Sequence, residues 1–184
     1  MRRAIALFAL SLAAACKPPA ADEYVERSRI AGDTVGPSEP IRSPDTTGAI
    51  WAPAAKPDRL IYGKPGERPL MALECEKSQG IPLVAYTRFA AADPHAKAIL
   101  ALIGNGHVSR LKIDATERQN AWVWHGAVAA EDPMLDVLTG GREVEATVPG
   151  AGSVILNPSP LPGALVENCR ATAAPAPSPP ANPA

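Results

Sequence analysis

The stretch KAILALIGNGHVSRLKID, residues 97–114, contains the plainest folding signal in the chain. At its centre stands Asn105-Gly106, the residue pair preferred in a two-residue type I′ hairpin turn, because both central positions of that turn need a positive φ. Residues 98–103, before the turn, are apolar on both faces of the predicted strand. Such a strand is typical of the centre of a sheet or of a covered position. The stretch therefore predicts a β-hairpin with its first strand inside the sheet.

The second strand of this hairpin has one break in its alternation. Leu111 and Ile113 share a face, whereas Val108 is out of phase with them. A one-residue β-bulge, as found beside Gly-containing three-residue hairpin loops, would restore the phase. We therefore expect a bulge between the turn and Leu111.

Period-two patterns continue outward from the hairpin in both directions. On the N-terminal side, PLMALECEK and IPLVAYTRF are joined by a short polar connection and predict a second hairpin. In the first of these strands Met71, Leu73 and Cys75 point inward; in the second, Arg88 shares a face with Tyr86. On the C-terminal side, QNAWVWHGAV is a further strand, and REVEATV and GSVILN form a third hairpin around PGAG.

Two segments have helical rather than strand character. In EDPMLDVLTGG, Asp132 is an N-cap candidate, Pro133 suits the first helical position, and Gly140-Gly141 ends the element. In PLPGALVENCR the apolar residues fit a helical stripe, but Pro162 and Gly163 leave its start undefined.

Together these elements predict a mainly β fold: a small antiparallel β-sandwich or partly open barrel with one or two short helices. The 184 residues suffice for one such core with tails. Pro-rich composition outside the strand patterns predicts a disordered N-terminal tether and a disordered Ala/Pro-rich tail. The expected order is signal peptide 1–15, lipidated Cys and tether 16–47, β-rich domain 48–170 and tail 171–184.

The N-terminal stretch MRRAIALFALSLAAAC is typical of an export signal. Arg2 and Arg3 supply the positive region, and the apolar run that follows is too short to span a bilayer. Three alanines then precede Cys16, as a signal peptidase requires. If the ordinary secretory peptidase cuts here, the product is a soluble periplasmic or secreted protein.

The same residues resemble the lipobox of bacterial lipoproteins, Leu-Ala-(Ala/Gly)-Cys. Leu12 stands four residues before Cys16, where the family has leucine three before. The resemblance implies that Cys16 becomes the first mature residue and carries acyl chains that anchor the protein to a membrane. Lys17 after the cysteine implies the periplasmic side of the outer membrane. The motif covers only these residues and carries no information on the fold.

Cys75 and Cys169 are the two cysteines that remain once Cys16 is assigned to lipid. In an exported protein such a pair predicts a disulfide. Two buried free thiols are the alternative.

Charge and motifs exclude several functions. The 18 basic and 19 acidic residues are balanced and unclustered, and aromatic residues are few, so a nucleic-acid partner is not expected. There is no Gly-x-Ser-x-Gly motif, and neither His95, His107 nor His125 has metal-site spacing to another ligand. We therefore expect no catalytic residues, metal or cofactor.

The function predicted from the sequence is a non-catalytic binding or structural module of the bacterial envelope. Its partners would be the membrane, through the lipid, and an envelope protein or peptidoglycan. Candidates for ligand contact are the aromatic residues Trp122, Trp124 and Tyr86. The alternative is a hydrolase or metal-dependent enzyme using His107 or His125 with a nearby acid.

Overall fold

The computed structural model describes residues 38–118 and 120–172. In this part of the chain nine antiparallel strands form one sheet, accompanied by two short helices. The strands are β1 (Ile50–Pro53), β2 (Arg59–Gly63), β3 (Met71–Ser78), β4 (Ile81–Ala91), β5 (Lys97–Gly104), β6 (His107–Arg118), β7 (Ala121–Ala129), β8 (Val144–Thr147) and β9 (Ser153–Leu156). A 3₁₀ helix (Pro133–Leu138) and an α-helix, α1 (Leu161–Ala171), complete the fold.

The sheet curls into a nearly closed barrel with strand order β1-β2-β3-β4-β7-β6-β5-β8-β9. Side chains bridge the seam between β2 and β9 and the segments that flank β1 and β9. The Tyr62 hydroxyl donates to the Ile155 carbonyl at 2.7 Å and accepts from the Asn157 amide at 3.0 Å. The Asn157 side chain in turn donates to the Ala49 carbonyl at 2.8 Å. The prediction of a mainly β, partly open barrel with short helices is confirmed.

The hairpin at Asn105-Gly106 forms as predicted, with φ values of 50° and 80° at the two turn residues. The predicted bulge is wrong, because β5 and β6 pair without a register shift. Ser109 takes the inward position of β6 and is 2% exposed, whereas Val108 points outward and is 55% exposed. Ser109, and not the larger apolar Val108, therefore occupies the buried face that Leu111 and Ile113 share.

The turn also anchors the segment that follows the 3₁₀ helix. The Asn105 side chain donates to the Val137 carbonyl and accepts from the Arg142 amide, both at 2.8 Å. Gly140 packs so closely that a Cβ there would lie 2.6 Å from the Asn105 Cβ. The glycine that ends the helix is thus also required by the hairpin turn.

The two predicted helical segments are both helical. The Asp132 carboxylate accepts from the Met134 amide at 2.8 Å and caps the 3₁₀ helix, with Pro133 at its first position. Helix α1 begins directly after Pro160, so Pro162 and Gly163 lie inside its first turn. Its buried side packs on β1–β4 and on the 3₁₀ helix.

Residues 38–47, which the sequence analysis assigned to the tether, lie against the barrel as an N-terminal arm. The Ser38 amide donates to the Asp93 carboxylate at 3.0 Å, and the Ile41 amide donates to the Gly150 carbonyl at 2.8 Å. Further along, the Ser43 hydroxyl accepts from the Ser153 amide at 2.9 Å. The arm is therefore part of the folded unit.

The predicted signal peptide, Cys16, most of the tether and most of the tail lie outside the described residues. Within the described ranges, neither helix has the length and apolar character that crossing a membrane requires.

Candidate functional site

An open groove of about 380 Å³ runs between α1 and strands β1–β3. Its volume falls within the usual range for small-ligand clefts, roughly 300–1,000 Å³. The buried leucines Leu60 and Leu165 form its floor, and the polar lining residues lie at its more exposed rim. Apolar lining residues are Pro53, Leu60, Leu161, Ala164 and Leu165; polar ones are Asp58, Arg59, Asn168 and Thr172; Cys75 and Cys169 form part of the wall.

The predicted disulfide between Cys75 and Cys169 is present and holds one wall of this groove. It joins the last turn of α1 to the middle of β3, across a sequence separation of 94 residues. On another side of the helix, Arg170 pairs with the Asp136 carboxylate at 2.8 Å and donates to the Ala130 carbonyl at 2.8 Å. Because α1 is held by both a covalent bond and these polar contacts, the groove is preformed.

The rim beside β2 carries a cluster of three charged side chains. The buried Glu74 carboxylate accepts from Arg59 at 3.0 Å and is also paired with Lys56, which is exposed. Two cations on one carboxylate leave a surplus positive charge, which the exposed carboxylate of the lining residue Asp58 offsets. Since Arg59 also lines the groove, its guanidinium can donate to an acceptor on a bound partner.

None of the groove-lining residues is a serine or histidine, and the two cysteines there are joined to each other. The hydroxyl of the lining residue Thr172 donates to the Cys169 carbonyl at 2.8 Å. The shape and chemistry of the groove suit binding of an apolar segment with polar groups at its edges.

The aromatic candidates Tyr86, Trp122 and Trp124 do not line this groove. Tyr86 and Trp124 are buried in the barrel core. The Tyr86 hydroxyl donates to the Lys112 carbonyl at 2.7 Å, and burial raises the pKa of Tyr86. Trp122 lies near the start of β7 and contacts the ring of His95 edge-on, with ring centroids 4.9 Å apart. In this structure only Trp122 is partly open to solvent.

Arg88 is buried in the same core, on the face that the strand pattern assigned to it. Its guanidinium donates to the carbonyls of Leu70 and Ala151, both at 3.1 Å. Burial lowers the pKa of Arg88 to about 10. Within the described residues, its Nε and the Nε1 of Trp124, its cross-strand neighbour, have no hydrogen-bond partner. Through these two carbonyls, Arg88 links the residue before β3 to the turn between β8 and β9.

The three histidines lie on different elements. His107 is exposed at the start of β6, and His95 lies in the loop before β5. His125 Nδ1 lies 3.1 Å from the Thr87 hydroxyl, and burial, followed by the charge of Arg118, lowers the pKa of His125. In the described part of the chain, no three His, Cys, Asp or Glu side chains are grouped to hold a metal ion.

Comparisons of the chain with protein-family models, with curated proteins and with solved structures found no match. The fold and the groove together define a small β-barrel clamped by one disulfide, with a preformed cleft beside its C-terminal helix.

The groove was not predicted from the sequence. Its apolar floor was visible only as the helical stripe of the last element, and its rim residues Asp58 and Arg59 stand in a turn region without a recognisable motif. The one signal that pointed there was the pairing of Cys75 with Cys169.

Proposed function

We propose that this chain is a lipid-anchored protein of the bacterial cell envelope, and that its barrel is a non-catalytic binding module. The observation that carries the proposal is the disulfide between Cys75 and Cys169, a bond typical of exported proteins. Together with the lipobox-like segment that ends at Cys16, it supports export and acylation. Lys17 after that cysteine favours the outer membrane, with the barrel in the periplasm.

The groove beside α1 is the part of the barrel that we assign to binding. Its buried leucine side chains suit apolar side chains of a protein segment. Sugar rings of peptidoglycan are a less suitable occupant, because no aromatic side chain is among the groove-lining residues. The favoured partner is therefore an extended segment of another envelope protein, with a hydrogen-bond acceptor near Arg59.

Metabolic labelling with a palmitate analogue tests the anchor. The wild-type chain should incorporate label, and Cys16→Ser should abolish it. Ala21→Ser is the matched control, since it adds the same hydroxyl a few residues away and should leave labelling intact. Equal labelling of Cys16→Ser and wild type would refute acylation at this residue.

Site-specific photocrosslinking in cells tests the groove. A photoreactive side chain at Asn168, which lines the groove, should give one defined protein adduct, and Leu161→Asp should abolish it. The same group at Ile81, exposed on β4, is the control and should give no such adduct. An adduct that persists in a folded Leu161→Asp variant would contradict binding in the groove.

The alternative function, a hydrolase using His107 or His125, has one contact in its favour. His125 lies within hydrogen-bond distance of the Thr87 hydroxyl, but that threonine is buried. Asp114 is the cross-strand partner of His125, yet no hydrogen bond between their side chains is found in the described residues. Ester hydrolysis that disappears in His125→Ala would favour this alternative.

A further inference from the structure

Three large aliphatic side chains are exposed side by side on the outer face of the barrel. Ile99 and Ile103 lie on β5 and are 41% and 50% exposed, and Val108 on β6 is the direct cross-strand partner of Ile103. Both strands are central, since β5 is paired with β6 and β8, and β6 with β5 and β7. Their exposure is therefore a property of the sheet face and not of a loose edge.

Cations lie among these aliphatic residues in a regular arrangement. Arg110 is paired with Ala101, and Lys112 with Ile99, so three consecutive outward pairs combine aliphatic residues on β5 with valine, arginine and lysine on β6. We call these six residues the basic–apolar face: Ile99, Ala101, Ile103, Val108, Arg110 and Lys112. None of the six is acidic. Two acids adjoin the face: Glu145 on β8 is the direct cross-strand partner of Ile103, and Asp114, the next outward residue after Lys112, is paired with Lys97.

The basic–apolar face lies across the barrel from the groove. The groove is lined by residues of β1–β3 and α1. Between those strands and the pair β5–β6 lie β4 and β7 on one side and β9 and β8 on the other. A surface that covered the basic–apolar face would therefore leave the groove open.

The N-terminal arm is held at the end of the barrel where β5 begins. Ser38 is hydrogen-bonded to Asp93, in the loop that leads into β5, and Ile41 is hydrogen-bonded to Gly150, in the turn between β8 and β9. Cys16 precedes Ser38 by 22 residues in the sequence (38 minus 16). Fully extended, that length of chain reaches at most about 75 Å. An acyl chain on Cys16 would thus keep the face within reach of a bilayer.

From this arrangement we propose that the basic–apolar face docks on a bilayer surface that contains anionic phospholipids. Adjacent cations flanked by apolar side chains match such a surface, because the cations meet phosphate groups while the apolar side chains enter the headgroup boundary. The inference rests on the proposed anchoring through Cys16. It adds an orientation: the barrel lies with β5–β6 on the membrane and presents the groove to the periplasm.

The test uses the full chain, purified from cell membranes and incorporated into vesicles of phosphatidylethanolamine with a photoreactive phosphatidylglycerol. Crosslinked lipid should be concentrated on peptides from residues 97–118. Val108→Glu should lower that crosslinking about fivefold, because a carboxylate then faces anionic lipid. Ile81→Glu is the matched control, since Ile81 and Val108 are equally exposed, at 56% and 55%, and it should change nothing. Phosphatidylcholine vesicles, or salt of about 0.5 M, should also reduce crosslinking.

The proposal is overturned if lipid crosslinks spread evenly over the barrel, or if the two glutamate variants have equal effects. Crosslinking of this face to a protein in cells, without lipid crosslinks in vesicles, would also overturn it and indicate a protein interface. The mass of the N-terminal peptide separates the two hypotheses. If it shows no acyl chain, anchoring fails. Sedimentation with phosphatidylglycerol vesicles then tests the face by itself, and only binding that Val108→Glu abolishes would support it.

Discussion

Removal of the disulfide should destabilise the barrel strongly while leaving its fold intact. The bond between Cys75 and Cys169 closes a loop with a sequence separation of 94 residues. For a loop of that length, the chain-entropy model gives about 4.6 kcal/mol of stabilisation, through restriction of the unfolded chain. Domains of this size have a total free energy of unfolding of roughly 5–15 kcal/mol. The bond therefore supplies a large part of the total stability.

Helix α1 should stay in place without the bond, because Val166 is fully buried against the barrel and Arg170 remains paired with Asp136. A double variant, Cys75→Ala with Cys169→Ala, should thus retain the native circular dichroism spectrum. For a domain of about 130 residues, its melting temperature should fall by roughly 15 °C.

Urea unfolding of the oxidised wild type, the reduced wild type and the double variant measures this effect. The free energies of unfolding of the reduced wild type and the double variant should agree within about 1 kcal/mol, because both proteins lack the cross-link. The small difference that remains comes from the buried sulfur atoms, which the double variant lacks. Unfolding of the oxidised and reduced forms at the same urea concentration would show that the bond does not stabilise the barrel. A loss of helix signal without a cooperative shift would instead show that the bond only holds α1.

Three further predictions concern single residues. Gly126→Ala should destabilise the barrel by about 2 kcal/mol, since its Cβ would lie 2.6 Å from the ring of Tyr86; Gly141→Ala, with open space around it, is the control in urea unfolding. Tyr62→Phe should cost about 2–3 kcal/mol in the same assay, because both seam partners of its hydroxyl lose a hydrogen bond; a cost below about 0.5 kcal/mol would contradict that role. The pKa of His125 is lowered in the folded barrel, so the unfolded chain binds a proton at this residue more readily than the folded chain does. As pH falls below about 6.5, the melting temperature of the wild type should therefore drop more than that of His125→Gln. Parallel curves of melting temperature against pH for the two proteins would refute this.

The sequence predicted those parts of the fold that depend on short-range pattern. Asn105-Gly106 demands positive φ at two adjacent positions, and the turn that forms is the one this pair favours. The bulge was predicted wrongly because apolarity was taken to mark the inward face, whereas Ser109 occupies the buried position there. A small hydroxyl group can enter a core at little cost in volume, and a hydrophobic pattern does not record that.

The arm and the groove depend on long-range contacts and gave little signal in the sequence. Residues 38–47 have the composition of a linker, yet hydrogen bonds that involve Ser38, Ile41 and Ser43 hold them on the barrel. The groove exists because α1 is docked at a fixed distance from β2, and no local pattern specifies that distance. The disulfide was the exception, because counting cysteines in an exported chain leaves one pairing once Cys16 is assigned elsewhere.

Docking of the basic–apolar face depends on the lipid anchor through the length of the chain between Cys16 and the arm. A face of three aliphatic side chains and two cations is small, and by itself it would bind a bilayer weakly. An anchor that tethers the barrel to the lipid by at most about 75 Å of chain turns docking into an intramolecular step with a high effective concentration. A weak surface is then sufficient to orient the barrel. On a soluble secreted protein the same face would lack this high effective concentration and would bind the bilayer only weakly. An experiment that shows the barrel oriented on a bilayer through this face would therefore favour acylation of Cys16.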